Sequence, residues 1–122
     1  MPEPFSNELR GLLIKTCKEL KLRHHENGTV ITIEGPRFST KAESKMFRNW
    51  GADVINMSIA PEAILANEAG IKYAAIAMST DFDSWKSDEE SVTWDTILKV
   101  FNKNADKVTK LIINTIPKIE GD

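Results

Sequence analysis

The chain of 122 residues holds one cysteine, Cys17. A lone thiol cannot close an intrachain disulfide, which excludes a disulfide scaffold and predicts a reducing, cytoplasmic setting. Long apolar runs are missing too. The longest, residues 73–78, falls far short of the roughly 20 residues of a membrane span, and the N-terminus lacks the apolar core of a signal peptide. No membrane association is expected. The charge is nearly balanced, with 16 Lys+Arg against 18 Asp+Glu for a net −2, and the two signs are mixed along the chain. The strong positive field of a nucleic-acid binder is therefore lacking. Internal repeats, low-complexity tracts and linkers are also absent, although residues 84–91 read as a polar, charged loop. With 41% hydrophobic residues, this length supports one domain around one core.

What is present alternates between helix and strand patterns. Leu9, Leu12, Leu13, Cys17 and Leu20 recur at helical spacing, with Ser6 placed to cap that helix. The Asn27-Gly28 turn is followed by β-branched residues over 29–34, which predict a strand. Thr40 and Glu43 form the pattern of a capping box, opening a helix whose Ala42, Met46, Phe47 and Trp50 are expected to face inward, with Gly51 as its stop. Residues 53–58 predict a short strand. Pro61 then reads as a first helical position, Ile64, Leu65 and Ala69 as a buried stripe, and Gly70 as the end. Residues 71–78, apolar at nearly every position, predict a third strand buried on both faces. A last, longest helix runs from near Thr93 until Pro117 forbids continuation. The fold class is therefore α/β, a mostly parallel sheet with helices on both faces.

In open parallel sheets ligands bind beyond the carboxyl ends of the strands. Three segments converge there: residues 34–40, Asn56-Met57-Ser58, and residues 79–83. Asp81 and Asp83 flank Phe82, and either serve a turn or supply a desolvated carboxyl that donates a proton to a leaving group. A third acid at ligand spacing is missing, so no metal site is expected. Phe38 follows the rigid Gly35-Pro36-Arg37 turn, as a hydrophobic plug or as a ring presented at the rim. Met57 reads as core filler and Ser58 as a possible donor to an anion. His24 and His25 fit a solvated loop, and Cys17 a small core residue.

These rim segments, with residues 50–55, Pro61-Glu62 and Glu68-Ala69-Gly70, resemble the 5′-methylthioadenosine phosphorylases, within the wider purine nucleoside phosphorylase family. The resemblance runs from about Phe5 to Pro117. It implies phosphate-dependent cleavage of 5′-methylthioadenosine to adenine and 5-methylthioribose 1-phosphate, with inorganic phosphate as co-substrate and no other cofactor. By this resemblance Asp81 is the catalytic acid at the purine N7, and Asp83 also faces the base. Neutralising negative charge as it develops on the leaving purine suits a protonated Asp81. Relatives that use 6-oxopurines carry Asn at the place of Asp81 and Glu at that of Ser39, so this combination implies adenine.

The same resemblance puts Phe38 beside base and ribose, Met57 over the sugar, and Ser58, where relatives usually have Thr, on the phosphate. Ile97 and Leu98 match the pocket for the 5′-alkylthio group. Trp94 stands where a small aliphatic residue of that pocket is expected, which leaves the accepted 5′ group open. The family's glycine-containing phosphate loop, its Arg-His pair and its ribose-contacting His have no counterpart in these residues. The expectation is a C-terminal part, residues 1–122, of a single phosphorylase domain, carrying its base-binding half. That part is expected to be inactive alone and to belong to a homotrimer when complete. The alternative expectations are a short non-catalytic form that binds full-length subunits, or a phosphorylase for other purine nucleosides.

Overall fold

Local chemistry sets where the helices begin. The computed structural model describes residues 1–80, 82–83 and 93–119. The first helix, α1 (Asn7–Glu19), starts at Ser6, whose hydroxyl accepts from the Leu9 N–H at 3.3 Å. The second, α2 (Lys41–Asn49), starts at a complete capping box. Glu43 N–H donates to the Thr40 hydroxyl at 3.2 Å, and Thr40 N–H donates back to the Glu43 carboxylate at 2.7 Å. Helix α3 spans Ile59–Glu68 and helix α4 spans Trp94–Thr115, followed by a single 3₁₀ turn, Ile116–Lys118, that contains Pro117. Gly51 and Gly70 follow α2 and α3 with φ of 87° and 67°, the left-handed region that glycine enters without steric cost.

Strands β1 (Val30–Thr32) and β2 (Val54–Asn56) pair in parallel, in the register Val30↔Val54, Ile31↔Ile55, Thr32↔Asn56. The register is anchored at its amino end by Asp53. Its backbone N–H donates to the Thr29 carbonyl at 2.8 Å, and its carboxylate accepts from the Thr29 N–H at 2.7 Å. At the other end Ile33 N–H donates to the Asn56 carbonyl. Helix α2 is the crossover that parallel pairing requires. The α/β class expected from the sequence holds, with helices around a parallel sheet.

Residues 71–78 depart from expectation. Among the described residues they join no ladder, and Ile71 is 64% exposed. The N-terminal segment holds them instead: Ser6 N–H donates to the Tyr73 carbonyl at 2.7 Å, Phe5 stacks on Tyr73, and Lys72 pairs with Glu8 at 2.9 Å. An apolar run becomes a strand only where a second strand meets its backbone, and none of the described strands does. The inward faces assigned to α2 and α3 also fail: Ala42 and Met46 are exposed, as are Trp50 at 66% and Leu65 at 63%. Ser44 and Ala63 are the buried residues of those helices.

The core lies where α1 packs against α4, with Thr16, Cys17, Leu111 and Thr115 buried. Lys118 reaches back to donate to the Thr16 hydroxyl at 3.1 Å and to the Glu19 carboxylate. In total 9227 Å² stays exposed. A folded monomer of this size exposes about 6,600 Å², so much apolar surface that folding would normally cover is left open.

Candidate active site

Parallel pairing brings the carboxyl ends of β1 and β2 to one rim, and an open groove of about 1450 Å³ begins there. Phe38 and Ser39 enter it after β1, Met57 and Ser58 after β2, and Phe82 and Asp83 from the third segment. The three segments therefore line one groove, although the third follows no strand among the described residues. Small-molecule sites occupy about 300–1,000 Å³. The groove is larger because it runs on along α1, past Leu9 and Leu13, to Ile97 and Ile112 of α4.

The turn before Phe38 is clamped. Arg37 donates from both terminal nitrogens to the two carboxylate oxygens of Glu43, each at 2.7 Å, and also to the Phe38 carbonyl at 3.1 Å. A bidentate Arg–carboxylate pair fixes direction as well as distance. The Arg37 guanidinium, with the Thr40 hydrogen bonds, holds the Glu43 carboxyl well below the usual carboxylate range, at about 2. The clamp ties the turn to the start of α2, so Phe38 stands with its ring largely exposed while Ser39 next to it is buried. An exposed ring does not plug a gap. Met57 packs on the other side of the turn, against Gly35.

Asn56 arranges the second segment. Its side-chain carbonyl accepts from Ser58 N–H and Ile59 N–H, both at 3.1 Å, and from the Thr32 hydroxyl at 2.9 Å. The Thr32 hydroxyl in turn accepts from Ala60 N–H at 3.1 Å. Sequence reasoning missed this network. The signal was an Asn two residues before a helix N-cap, beside a Thr at the matching place in the neighbouring strand. Tyr73 and Glu62 were also not singled out together. The Tyr73 hydroxyl donates to the Glu62 carboxylate at 2.5 Å on the groove wall. Burial, and then the Glu62 charge, push the phenol up to about 12, so it stays a neutral donor.

The remaining candidates divide. Ile97 lines the groove, whereas Trp94 and Leu98 lie on the exposed side of the first turns of α4 and outside the groove lining. Asp81 lies outside the described residues. His24 donates from Nδ1 to the Leu22 carbonyl at 2.8 Å, as a loop residue would. Cys17 is buried in α1, and burial raises its thiol above the ordinary value, which opposes thiolate chemistry.

Comparison with known proteins supplies the context for this rim. Residues 1–117 match the model of the Phosphorylase superfamily. The chain is 56% identical over 119 residues to the S-methyl-5′-thioadenosine phosphorylase of Xenopus tropicalis, covering 98% of this chain and 42% of that protein. It is equally similar, 56% over 119 residues, to the enzyme of the same name from Anopheles gambiae, with 98% and 43% covered. Among solved structures, the methylthioadenosine phosphorylase from Schistosoma mansoni in complex with adenine superposes with a TM-score of 0.92 at 37% identity, over 100% of this chain and 48% of that one. The chain thus spans less than half the length of the relatives it matches.

Proposed function

Because the chain belongs to the Phosphorylase superfamily, we propose that it carries the base-recognition part of a phosphorylase that splits 5′-methylthioadenosine. In this reaction inorganic phosphate displaces adenine from the sugar, giving 5-methylthioribose 1-phosphate. The observation that supports this reading is the meeting of Phe38, Ser39, Met57, Ser58 and Asp83 in one groove at the carboxyl rim of a parallel sheet. The relatives that share these segments are named for this substrate.

The chemistry follows from the leaving group. As the glycosidic bond breaks, its electron pair passes to the purine and negative charge gathers at N7. Asp81 in its acid form donates a proton there, while a carboxylate oxygen of Asp83 accepts from the 6-amino group. Phe38 offers its exposed face to base and ribose, and the Arg37–Glu43 clamp keeps that ring at the rim. Met57 closes over the sugar, and the Ser58 hydroxyl donates to phosphate. Ile97 offers an apolar wall for the 5′ substituent, while Leu98 and Trp94, which the resemblance also assigns to that pocket, stand outside the groove lining. No metal or organic cofactor takes part. The complete enzyme is a cytoplasmic homotrimer acting in purine and methionine salvage.

Phosphorolysis needs donors around a dianion, commonly backbone amides with an Arg or His. Ser58 alone is too few, so turnover requires protein beyond these residues. A second reading, a non-catalytic form that docks on full-length subunits, is favoured by the apolar surface left open on α2 and α3. Titration of the chain with adenine and with hypoxanthine, by calorimetry, tests the base assignment. Adenine binding more tightly, with the preference lost in Asp81→Asn, is the expected result. Equal or tighter binding of hypoxanthine would overturn it. Appreciable release of adenine from methylthioadenosine and phosphate by the chain alone would contradict the division of the site.

A further inference from the structure

Ser58 occupies the N-cap position of α3, yet its side chain makes no capping hydrogen bond. A serine at such a place ordinarily turns its hydroxyl inward to accept from the N–H groups of the first turn. Here that task is taken by two residues on the strand ends. Asn56 accepts from Ser58 N–H and Ile59 N–H, and Thr32 accepts from Ala60 N–H while donating to the same Asn56 oxygen. Thr32 and Asn56 are register partners across β1 and β2, so the sheet itself supplies the cap. The arrangement is economical in acceptors: one Asn oxygen and one Thr oxygen serve three backbone donors. Neither oxygen is on the helix, so the Ser58 hydroxyl lies beside the groove with no helix donor drawing it inward.

We propose that Thr32 and Asn56 are positioning residues, which relieve Ser58 of its capping role so that its hydroxyl is free to bind phosphate. The inference rests on the reading of Ser58 as a phosphate ligand. Without the Thr32 hydroxyl, the Ala60 N–H, which stands at the position an N-cap serine ordinarily serves, loses its acceptor and draws the Ser58 hydroxyl inward. The Asn56 oxygen accepts from the Thr32 hydroxyl and holds it in place. An oxygen engaged as a cap acceptor has its proton and lone pairs redirected, and phosphate loses one charge-assisted contact. The nucleoside base, held by other segments, is not affected.

The test uses the full chain, unaltered and as Ser58→Ala, Asn56→Ala, Thr32→Val and Thr32→Ser. Each is titrated separately with inorganic phosphate and with adenine, and amide hydrogen exchange is followed at Ser58, Ile59 and Ala60. Loss of one hydrogen bond to a charged ligand corresponds to roughly tenfold weaker binding. Ser58→Ala and Thr32→Val should each weaken phosphate by about that factor, with no further loss when combined, and leave adenine binding unchanged. Asn56→Ala should speed exchange at Ile59, and Thr32→Val at Ala60, with Thr32→Ser restoring protection. A merely structural role would weaken both ligands alike, and that result would overturn the proposal. So would unchanged exchange at Ala60 in Thr32→Val, or a phosphate loss in Ser58→Ala that Thr32→Val does not share. If neither Ser58→Ala nor the unaltered chain shows any phosphate dependence, the phosphate reading of Ser58 falls and this inference with it.

Discussion

Arg37 grips Glu43 with two parallel hydrogen bonds of 2.7 Å, and the same carboxylate closes the capping box of α2. One acid thus fastens both the start of a helix and the turn that presents Phe38. Because the folded chain holds Glu43 at about 2, against an ordinary value of 4.5, its contribution to stability is complete above about pH 4.5. It is lost as the pH falls toward 2. A carboxyl carbon NMR titration should give Glu43 a midpoint near 2, moving up toward the ordinary value in Arg37→Ala. A midpoint near 4.5 in the unaltered chain would contradict the clamp.

Gly35 has φ of 71°, and a Cβ placed there would stand 2.6 Å from the Met57 sulfur. Gly35→Ala should therefore cost about 1–2 kcal/mol from the left-handed backbone alone. The side chain also pushes Met57 out of its place. Urea denaturation should show the loss of stability, and methylthioadenosine binding should weaken beyond what the stability loss explains. A variant as stable as the parent would show that the turn adopts another conformation.

Ser44 is buried in α2 at 2% exposure, and its hydroxyl has no hydrogen-bond partner among the described residues. Removing an unsatisfied buried hydroxyl from a helix interior is favourable on two counts, desolvation and helix propensity. Ser44→Ala should raise the stability of the chain by roughly 0.5–1 kcal/mol. A fall in the denaturation midpoint would mean that the hydroxyl is bonded in solution.

Ile97 lines the groove, while Trp94, 66% exposed, does not. Ile97→Ala should weaken binding of a nucleoside with an apolar 5′ group by about 1–2 kcal/mol, with little effect on adenosine. Trp94→Val should stay within about 0.5 kcal/mol on stability, and its effect on the preference between methylthioadenosine and adenosine reports whether the indole narrows the pocket. No change in that preference would remove Trp94 from the pocket.

Features that depend on neighbouring residues were legible in the sequence, and features that depend on distant partners were not. Ser6, Thr40 with Glu43, and Gly51 act within three or four residues, and each does in the structure what its local pattern implies. The meeting of the first two rim segments was legible because strand ends and the segments after them are read from the same local signals, whereas the third reaches the groove without following a described strand. Burial was not. Periodicity shows that Met46, Trp50 and Leu65 are apolar, but a face is buried only when another element covers it, and nothing described here does. Residues 71–78 fail as a strand for the same reason, since a ladder belongs to two segments. The Asn56–Thr32 pair stayed hidden because its members are 24 positions apart and meet only through strand register.

The tie between Lys118 and Thr16 has a consequence for the order of events in folding. It joins positions 102 residues apart, and it sits on the α1–α4 contact that carries most of the buried residues. A nascent chain cannot form that contact before α4 has been made, so α1 waits with its apolar side uncovered while the sheet and its crossover are synthesised. Contacts this far apart in sequence are entropically late and slow. Until α4 reaches it, the uncovered apolar side of α1 leaves this stretch of the chain open to association with other exposed apolar surface.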